Sequence, residues 1–180
     1  MALAQAKTST EDDYYNLPED VRAELVDGQI YYQAAPSRIH QRLLSDLHGT
    51  IYNFIKSNGG SCQVYPAPFA VKLFDDGKNI VEPDISVICD HNKLTDKGCT
   101  GAPDWIIEIV SPSSRTIDYY NKLFKYRTAG VREYWIVDYE RELVTVYNFQ
   151  NDSAANYAFS DSIPVGIYPG FSINLSTLDI

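Results

Sequence analysis

The first regular alternation of apolar and polar positions predicts a β-hairpin near the N-terminus. Two short runs rich in apolar residues, Ala23–Val26 and Gln29–Tyr32, flank the dipeptide Asp27-Gly28. A dipeptide of this kind supplies the positive φ angles that a tight hairpin turn requires. Residues 1–13, which precede the hairpin, are polar and acidic, and we expect them to form a flexible tail ahead of a single domain over residues 14–180.

The next stretch has the three-and-four spacing of apolar residues that is typical of one helix face. It covers residues 37–56 and ends at Asn58-Gly59-Gly60, which supplies a helix stop. The apolar positions are Ile39, Leu43, Leu44, Leu47, Ile51, Phe54 and Ile55. A second helix is predicted over residues 115–129, because residues 111–114 offer N-cap serines and Gly130 follows the helix.

Six apolar runs separated by turn residues predict the strands of a central sheet. They cover residues 64–65, 69–74, 81–89, 104–110, 133–138 and 143–149. The run at 104–110 is nearly continuous, as expected for a central strand covered on both faces. Residues 90–103 are polar and predict a surface loop, whereas residues 151–180 are expected to complete an edge of the sheet.

Composition and charge narrow the functions that this chain can have. The 180 residues include 24 acidic and 15 basic side chains, giving a formal net charge of −9. Affinity for phosphate backbones comes mainly from Lys and Arg, so a non-specific polyanion binder is disfavoured and any nucleic-acid role needs a local basic patch or a bound metal. No apolar run approaches the length of a membrane span, and we expect a cytoplasmic protein without a membrane partner.

The three cysteines predict no special chemistry. Cys62, Cys89 and Cys99 are odd in number and lack the short paired spacing of metal-binding cysteines. We therefore expect ordinary buried or half-buried thiols rather than a disulfide framework or a zinc site.

Two acidic residues fall at positions where strands should be buried. Asp84 lies in the segment 82–88 and Glu108 lies in the apolar run 105–110. A buried carboxylate costs several kcal/mol unless it is paired or holds a cation, and a shared divalent metal is the simplest explanation. Carboxylate, carbonyl and water oxygens suit Mg²⁺ or Mn²⁺ better than zinc. The alternatives are a turn cap for Asp84 and a long-range ion pair with Lys122 for Glu108.

An ordered set of motifs resembles the Uma-type restriction endonuclease family of the PD-(D/E)XK nuclease superfamily. The resemblance runs from about residue 14 to residue 150. The matching residues are 24–28, His40, Glu82-Pro83-Asp84, residues 108–114, Asp118, Lys122, Tyr126 and residues 130–138.

The resemblance implies a restriction-endonuclease-like α/β (α+β) core, in which helices flank a central mixed β-sheet. It also implies a metal held by Asp84, Glu108 and the carbonyl of Ile109. The superfamily lysine normally lies two residues after the glutamate, where this chain has Val110. Lys122 on the following helix is the candidate replacement, ahead of Lys125.

Two further residues are candidates for the rim of this site. Glu24, just before the hairpin turn, could be an additional ligand or could hold a water molecule. His40 is a weaker candidate for a phosphate or a metal-bound water.

The resulting expectation is a Mg²⁺- or Mn²⁺-dependent endonuclease that hydrolyses DNA phosphodiester bonds, with a homodimer as a plausible assembly. The main alternative is a catalytically silent interaction or metal-binding module that keeps the fold, which Val110 and the acidic charge favour. A hydrolase of small phosphorylated substrates is a third option, although no glycine-rich phosphate loop is visible in the sequence.

Overall fold

Two six-stranded β-sheets form the body of the protein in the computed structural model, which describes residues 8–110 and 121–178. The helices are α1 (Glu11–Tyr15), α2 (Arg38–Ser57) and α3 (Leu123–Ala129). The strands, in chain order, are β1 (Ala23–Val26), β2 (Gln29–Tyr32), β3 (Gln63–Pro66), β4 (Val71–Lys72), β5 (Ile80–Val81), β6 (Ile85–Ile88), β7 (Leu94–Thr95), β8 (Gly98–Thr100), β9 (Trp105–Val110), β10 (Glu133–Asp138), β11 (Leu143–Asn148), β12 (Ser153–Ala158), β13 (Ile163–Pro164) and β14 (Ser172–Ile173).

The first sheet contains the predicted N-terminal hairpin at its edge. Its strand order is β2-β1-β5-β4-β8-β7. β1 and β2 pair antiparallel around Asp27 and Gly28, which have φ angles of 51° and 74°. The hairpin and its turn are therefore confirmed.

Helix α1 fastens the chain before the hairpin to the first sheet. Thr10 and Asp13 form a capping box at its N-terminus, which satisfies backbone donors that the first turn leaves unpaired. The Ser9 amide donates to the Gly28 carbonyl at 2.7 Å, and the Glu11 amide donates to the Gly77 carbonyl at 2.8 Å. Residues 8–13 of the predicted tail are thus tied to the domain, whereas residues 1–7 lie outside the described residues.

Helix α2 covers one face of the second sheet, as its apolar spacing predicted. Ser37 caps the helix by accepting a hydrogen bond from the His40 amide. The buried residues Leu43, Leu47, Ile51 and Ile55 belong to the same hydrophobic cluster as Trp105 and Trp135 of the sheet. Among the described helices, none is both long and apolar enough to cross a membrane.

The second sheet is mixed and carries the central strand. Its order is β12-β11-β10-β9-β6-β3. β9 pairs parallel with β10 and antiparallel with β6, and every residue of β9 is buried. The predicted mixed sheet flanked by helices is therefore confirmed, as is the prediction that 104–110 forms a central strand.

Three expected elements differ in the structure. The predicted strand 81–89 is two strands in different sheets, because the chain crosses from β5 to β6 at residues 82–84, where Pro83 lacks an amide donor. The predicted loop 90–103 contains the β7–β8 hairpin. Gly98 begins β8 with a φ of 130°, and it lets β8 approach the chain just before β4, because an added Cβ would collide with the Ala70 carbonyl oxygen. Of the predicted second helix, the structure shows α3, and residues 111–120 lie outside the described residues.

The expectation of three free thiols is wrong for two of them. Gln63 of β3 pairs with Ile88 of β6, so Cys62 and Cys89 lie opposite each other, and they form a disulfide. The pairing depends on strand register rather than on local spacing, which is why the sequence did not indicate it. Cys99 is a free, buried thiol. Disulfides are uncommon in the reducing cytoplasm, so the cysteines lend no support to a cytoplasmic location.

Candidate active site

Strand register brings the two acidic residues of the sequence motif together. Ile85 of β6 pairs with Ile107 of β9, so Asp84, immediately before β6, faces Glu108 one step further along the antiparallel pair. Side chains opposite each other in such a pair share one face of the sheet. Asp84 and Glu108 therefore lie beside each other where β6 and β9 begin to pair.

Lys122 lies between two carboxylates. Its Nζ donates to Oε1 of Glu108 at 2.9 Å and to Oε1 of Glu24 at 2.9 Å, and all three side chains are at most 6% exposed. A buried ammonium is tolerated only when opposite charges and hydrogen bonds compensate for its lost hydration. The long-range ion pair that the sequence offered for Glu108 therefore exists, and Glu24 makes it a three-residue cluster.

The position that carries the superfamily lysine is part of the hydrophobic core. Val110 is fully buried among apolar residues that include Ile106 and Val131. A lysine there would place its charge in an apolar environment. Lys125, the alternative on α3, instead contacts Asp27 of the hairpin turn at 2.6 Å. Of the two lysines that the sequence offered, Lys122 is the one that contacts Glu108.

Tyr126 also holds Glu108. Its hydroxyl donates to Oε1 of Glu108 at 2.6 Å, and the ring is fully buried. Burial and the nearby Glu108 carboxylate raise the pKa of Tyr126 well above its usual range, so the hydroxyl keeps its proton and remains a donor. The sequence included Tyr126 in the family motif without giving it this role.

Asp84 is held from two sides through one oxygen. Its Oδ2 accepts a hydrogen bond from the Ile109 amide at 2.7 Å and lies 3.2 Å from His40 Nε2. The structure thus places the Ile109 amide, rather than its carbonyl, against Asp84. His40 Nδ1 is buried without a hydrogen-bond partner among the described residues, so Nε2 is the ring nitrogen that contacts the site.

Glu82 of the family motif supports Glu24 through its backbone amide. The Glu82 amide donates to Oε1 of Glu24 at 2.8 Å. The Glu82 carboxylate accepts from Arg22 at 3.2 Å and from the Tyr14 hydroxyl at 3.0 Å, and burial together with Glu82 raises the pKa of Tyr14. The family motif includes Glu82 but neither Arg22 nor Tyr14. Their contacts with Glu82 span 60 and 68 residues, so no local pattern marks them.

A cleft of about 540 Å³ is lined by acidic residues described above together with His40, Arg22 and Lys122. Its walls are formed by the hairpin, the start of α2, the end of β9 and the end of the segment before β6. Its charged side chains are those of Glu24, Glu82, Asp84, Glu108, Arg22 and Lys122.

The donor set of this cleft fits a hard cation that keeps part of its water shell. Among residues 8–110 and 121–178, no three His, Cys, Asp or Glu side chains form a ready-made metal cage. Mg²⁺ rarely uses such a cage, because one or two carboxylates, several waters and substrate phosphates usually complete its octahedron. Asp84 and Glu108, one position beyond the paired residues Ile85 and Ile107, would supply the two carboxylates, while Lys122 compensates the charge of Glu108.

Comparisons with known proteins agree with this architecture. Residues 11–176 match the model of the family Uma2, described as "Putative restriction endonuclease". The "Uncharacterized protein slr1290" of Synechocystis sp. (strain ATCC 27184 / PCC 6803 / Kazusa) is 25% identical over 144 residues, which cover 78% of this chain and 74% of that protein. The crystal structure of "a putative nuclease belonging to DUF820" from Anabaena variabilis ATCC 29413 is similar with a TM-score of 0.77 and 21% identity, over 94% of this chain and 96% of that one. The structural likeness shows a shared fold.

Proposed function

Because the chain belongs to the Uma2 family, as its motifs predicted, we propose that it is a Mg²⁺- or Mn²⁺-dependent endonuclease that hydrolyses DNA phosphodiester bonds. The observation that carries the proposal is Lys122, buried between Glu24 and Glu108 at the wall of the cleft that also contains Asp84. A lysine and two acidic residues facing one cleft are the groups that phosphodiester hydrolysis requires.

The buried charges need a functional explanation because stability does not supply one. Replacing a buried ion cluster with well-packed apolar side chains is often neutral or stabilising. Clusters of this kind in a cleft are therefore candidates for functional sites. Here Glu108 is the one charged residue of β9, whose other five residues are apolar and buried, and a hydrophobic residue at its position would pack without any cost in hydration.

Each residue of the cluster has a distinct part in the proposed reaction. Asp84 and Glu108 would hold the metal, which when bound would acidify a water molecule and neutralise charge on the scissile phosphate. Lys122 would orient that water or stabilise the negative charge that develops on phosphate oxygens as water attacks phosphorus and the P–O bond breaks. Glu24 fixes the Lys122 ammonium, and His40 and the Ile109 amide fix the Asp84 carboxylate.

The test is cleavage of supercoiled, linear and single-stranded DNA with Mg²⁺, Mn²⁺ or EDTA. The wild-type protein should cleave with a metal and not with EDTA, and Asp84→Asn and Glu108→Gln should each lower the rate by about 100-fold or more, because each removes a charged ligand. Asp104→Asn is the control, since Asp104 is an acid paired with Arg132 outside the cleft lining. Cleavage that survives both site substitutions would refute the proposed site.

A catalytically silent module remains the second candidate, and one observation favours it. Within residues 8–110 and 121–178, the two cationic side chains that line the cleft, Arg22 and Lys122, are both paired with glutamates. No cleavage under any metal condition would favour this candidate. A rise in melting temperature with Mn²⁺ that Asp84→Asn removes would then identify a metal-binding module, since a ligand bound only by the native state stabilises it.

A further inference from the structure

The edge strand β2 places tyrosine side chains in the wall of the cleft. Tyr31 pairs with Glu24 across the hairpin, so its ring lies on the same face as the carboxylate that holds Lys122. Tyr31 is 40% exposed and Tyr32 is 70% exposed, and both line the cleft. An aromatic surface is therefore available to a ligand directly beside the charged cluster.

The cleft offers the ring of Tyr31 rather than its hydroxyl. That hydroxyl donates to Oε1 of Gln29 at 2.9 Å, two residues back on the same strand. The bond keeps the hydroxyl directed along the strand. The ring is then the part of this side chain that is available to a ligand, and aromatic rings bind bases by stacking.

Within the part of the chain that the structure describes, the charges of the cleft leave little attraction for a phosphate backbone. Arg22 is 3.2 Å from Glu82, and Lys122 is 2.9 Å from both Glu24 and Glu108. The chain as a whole carries a formal charge of −9. Because phosphate affinity comes from unneutralised Lys and Arg, binding of an intact duplex through its backbone would be weak here.

Stacking on bases supplies affinity without positive charge. Base–aromatic stacking tolerates any sequence, but it requires a base that is free of its partner strand. A cleft of about 540 Å³ lies in the size range that encloses a small organic ligand, which suits a nucleotide rather than a double helix.

We infer that Tyr31 is a stacking platform for an unpaired nucleobase, and that the substrate is single-stranded DNA or DNA with an unpaired end. This inference rests on the proposed function, because it names the substrate class of the same site.

The test measures binding separately from cleavage. Fluorescein-labelled single-stranded DNA, blunt duplex of equal length and an abasic single strand are titrated with protein in Ca²⁺, and the DNA is checked for integrity afterwards. The wild-type protein should bind the single strand about tenfold more tightly than the duplex or the abasic strand. Tyr31→Ala should lose about tenfold in affinity for the single strand, and Tyr31→Phe should stay within about twofold because the ring remains.

Tyr52→Ala is the matched control. Tyr52 on α2 is 46% exposed but does not line the cleft, so its removal should change binding by less than about twofold. Melting temperatures of all variants verify folding. If the Tyr31 ring only shields Glu24, Tyr31→Ala would change the melting temperature. It would not change the preference for the single strand over the abasic strand.

The outcomes separate this inference from the proposed function. Three results would each overturn the inference. They are equal affinity for duplex, single strand and abasic strand, an affinity that Tyr31→Ala leaves unchanged, and no binding of any DNA. Metal-dependent cleavage of duplex DNA at a rate that Tyr31→Ala leaves unchanged would overturn the inference, while the nuclease proposal would stand. Ring-dependent binding of single strands without cleavage in any metal would refute the nuclease proposal and leave the stacking platform intact.

Discussion

At the scale of single residues, the charge balance of the cleft depends on Lys122. Its ammonium contacts Glu24 and Glu108, and Tyr126 adds a hydroxyl donor to Glu108. Removing the ammonium would leave two buried carboxylates without their shared cation. A buried charge that loses its partner is far more costly than an exposed one.

We expect Lys122→Met to lower the free energy of unfolding by about 3–5 kcal/mol, because it leaves the buried carboxylates of Glu24 and Glu108 without their shared cation. Urea denaturation at neutral pH and without a divalent metal measures this change. Lys125→Met is the control on the same helix, since Lys125 pairs with the exposed Asp27 and such a pair contributes at most about 1 kcal/mol. Equal losses in the two variants would contradict the assignment of Lys122 to a buried cluster.

The sequence allowed the main acids of the site to be predicted, but not the residues that hold them. Asp84 and Glu108 stood out because each is a charge within an apolar run. The Ile109 amide was not foreseen as a donor to Asp84, because that contact depends on how β6 and β9 are paired. Arg22 and Tyr14 were missed for the same reason: nothing local marks a residue that contacts Glu82 across more than fifty positions.

At the scale of elements, local patterns predicted what local physics determines. The hairpin at Asp27-Gly28 and helix α2 follow from turn chemistry and apolar periodicity. The division of 81–89 into β5 and β6 does not, because a continuous apolar run is equally compatible with one strand or with two strands in separate sheets. That division matters for the site, since the crossing places Glu82 against β1 and Asp84 against β9.

The Cys62–Cys89 disulfide clamps β3 to β6, the strand that follows Asp84. It closes a loop with a sequence separation of 27, so its loss should lower the free energy of unfolding by about 2–4 kcal/mol. Urea denaturation of Cys62→Ser/Cys89→Ser beside oxidised wild type measures the effect. Peptide mapping without reductant first verifies the linkage, and an absence of linked peptides from the oxidised protein would refute this pairing.

At the scale of the whole molecule, an acidic protein is proposed to act on an acidic polymer. The net charge of −9 opposes the approach of DNA, so a bound divalent cation and stacked bases would have to supply the attraction that Lys and Arg provide elsewhere. The predicted homodimer matters most for a duplex substrate, since cutting both strands calls for two sites. A single strand held by Tyr31 needs only one.

The central claim is that Lys122 acts on DNA together with Asp84 and Glu108. The most direct test of this claim is the single-turnover rate of DNA cleavage in Mn²⁺ by Lys122→Met and Lys125→Met. The two substitutions are matched, because each removes one positive charge and the two positions are close in the chain. Lys122→Met should lose about 100-fold or more in rate, whereas Lys125→Met should stay within about threefold of wild type. Equal rates in the two variants, with both proteins folded, would contradict it.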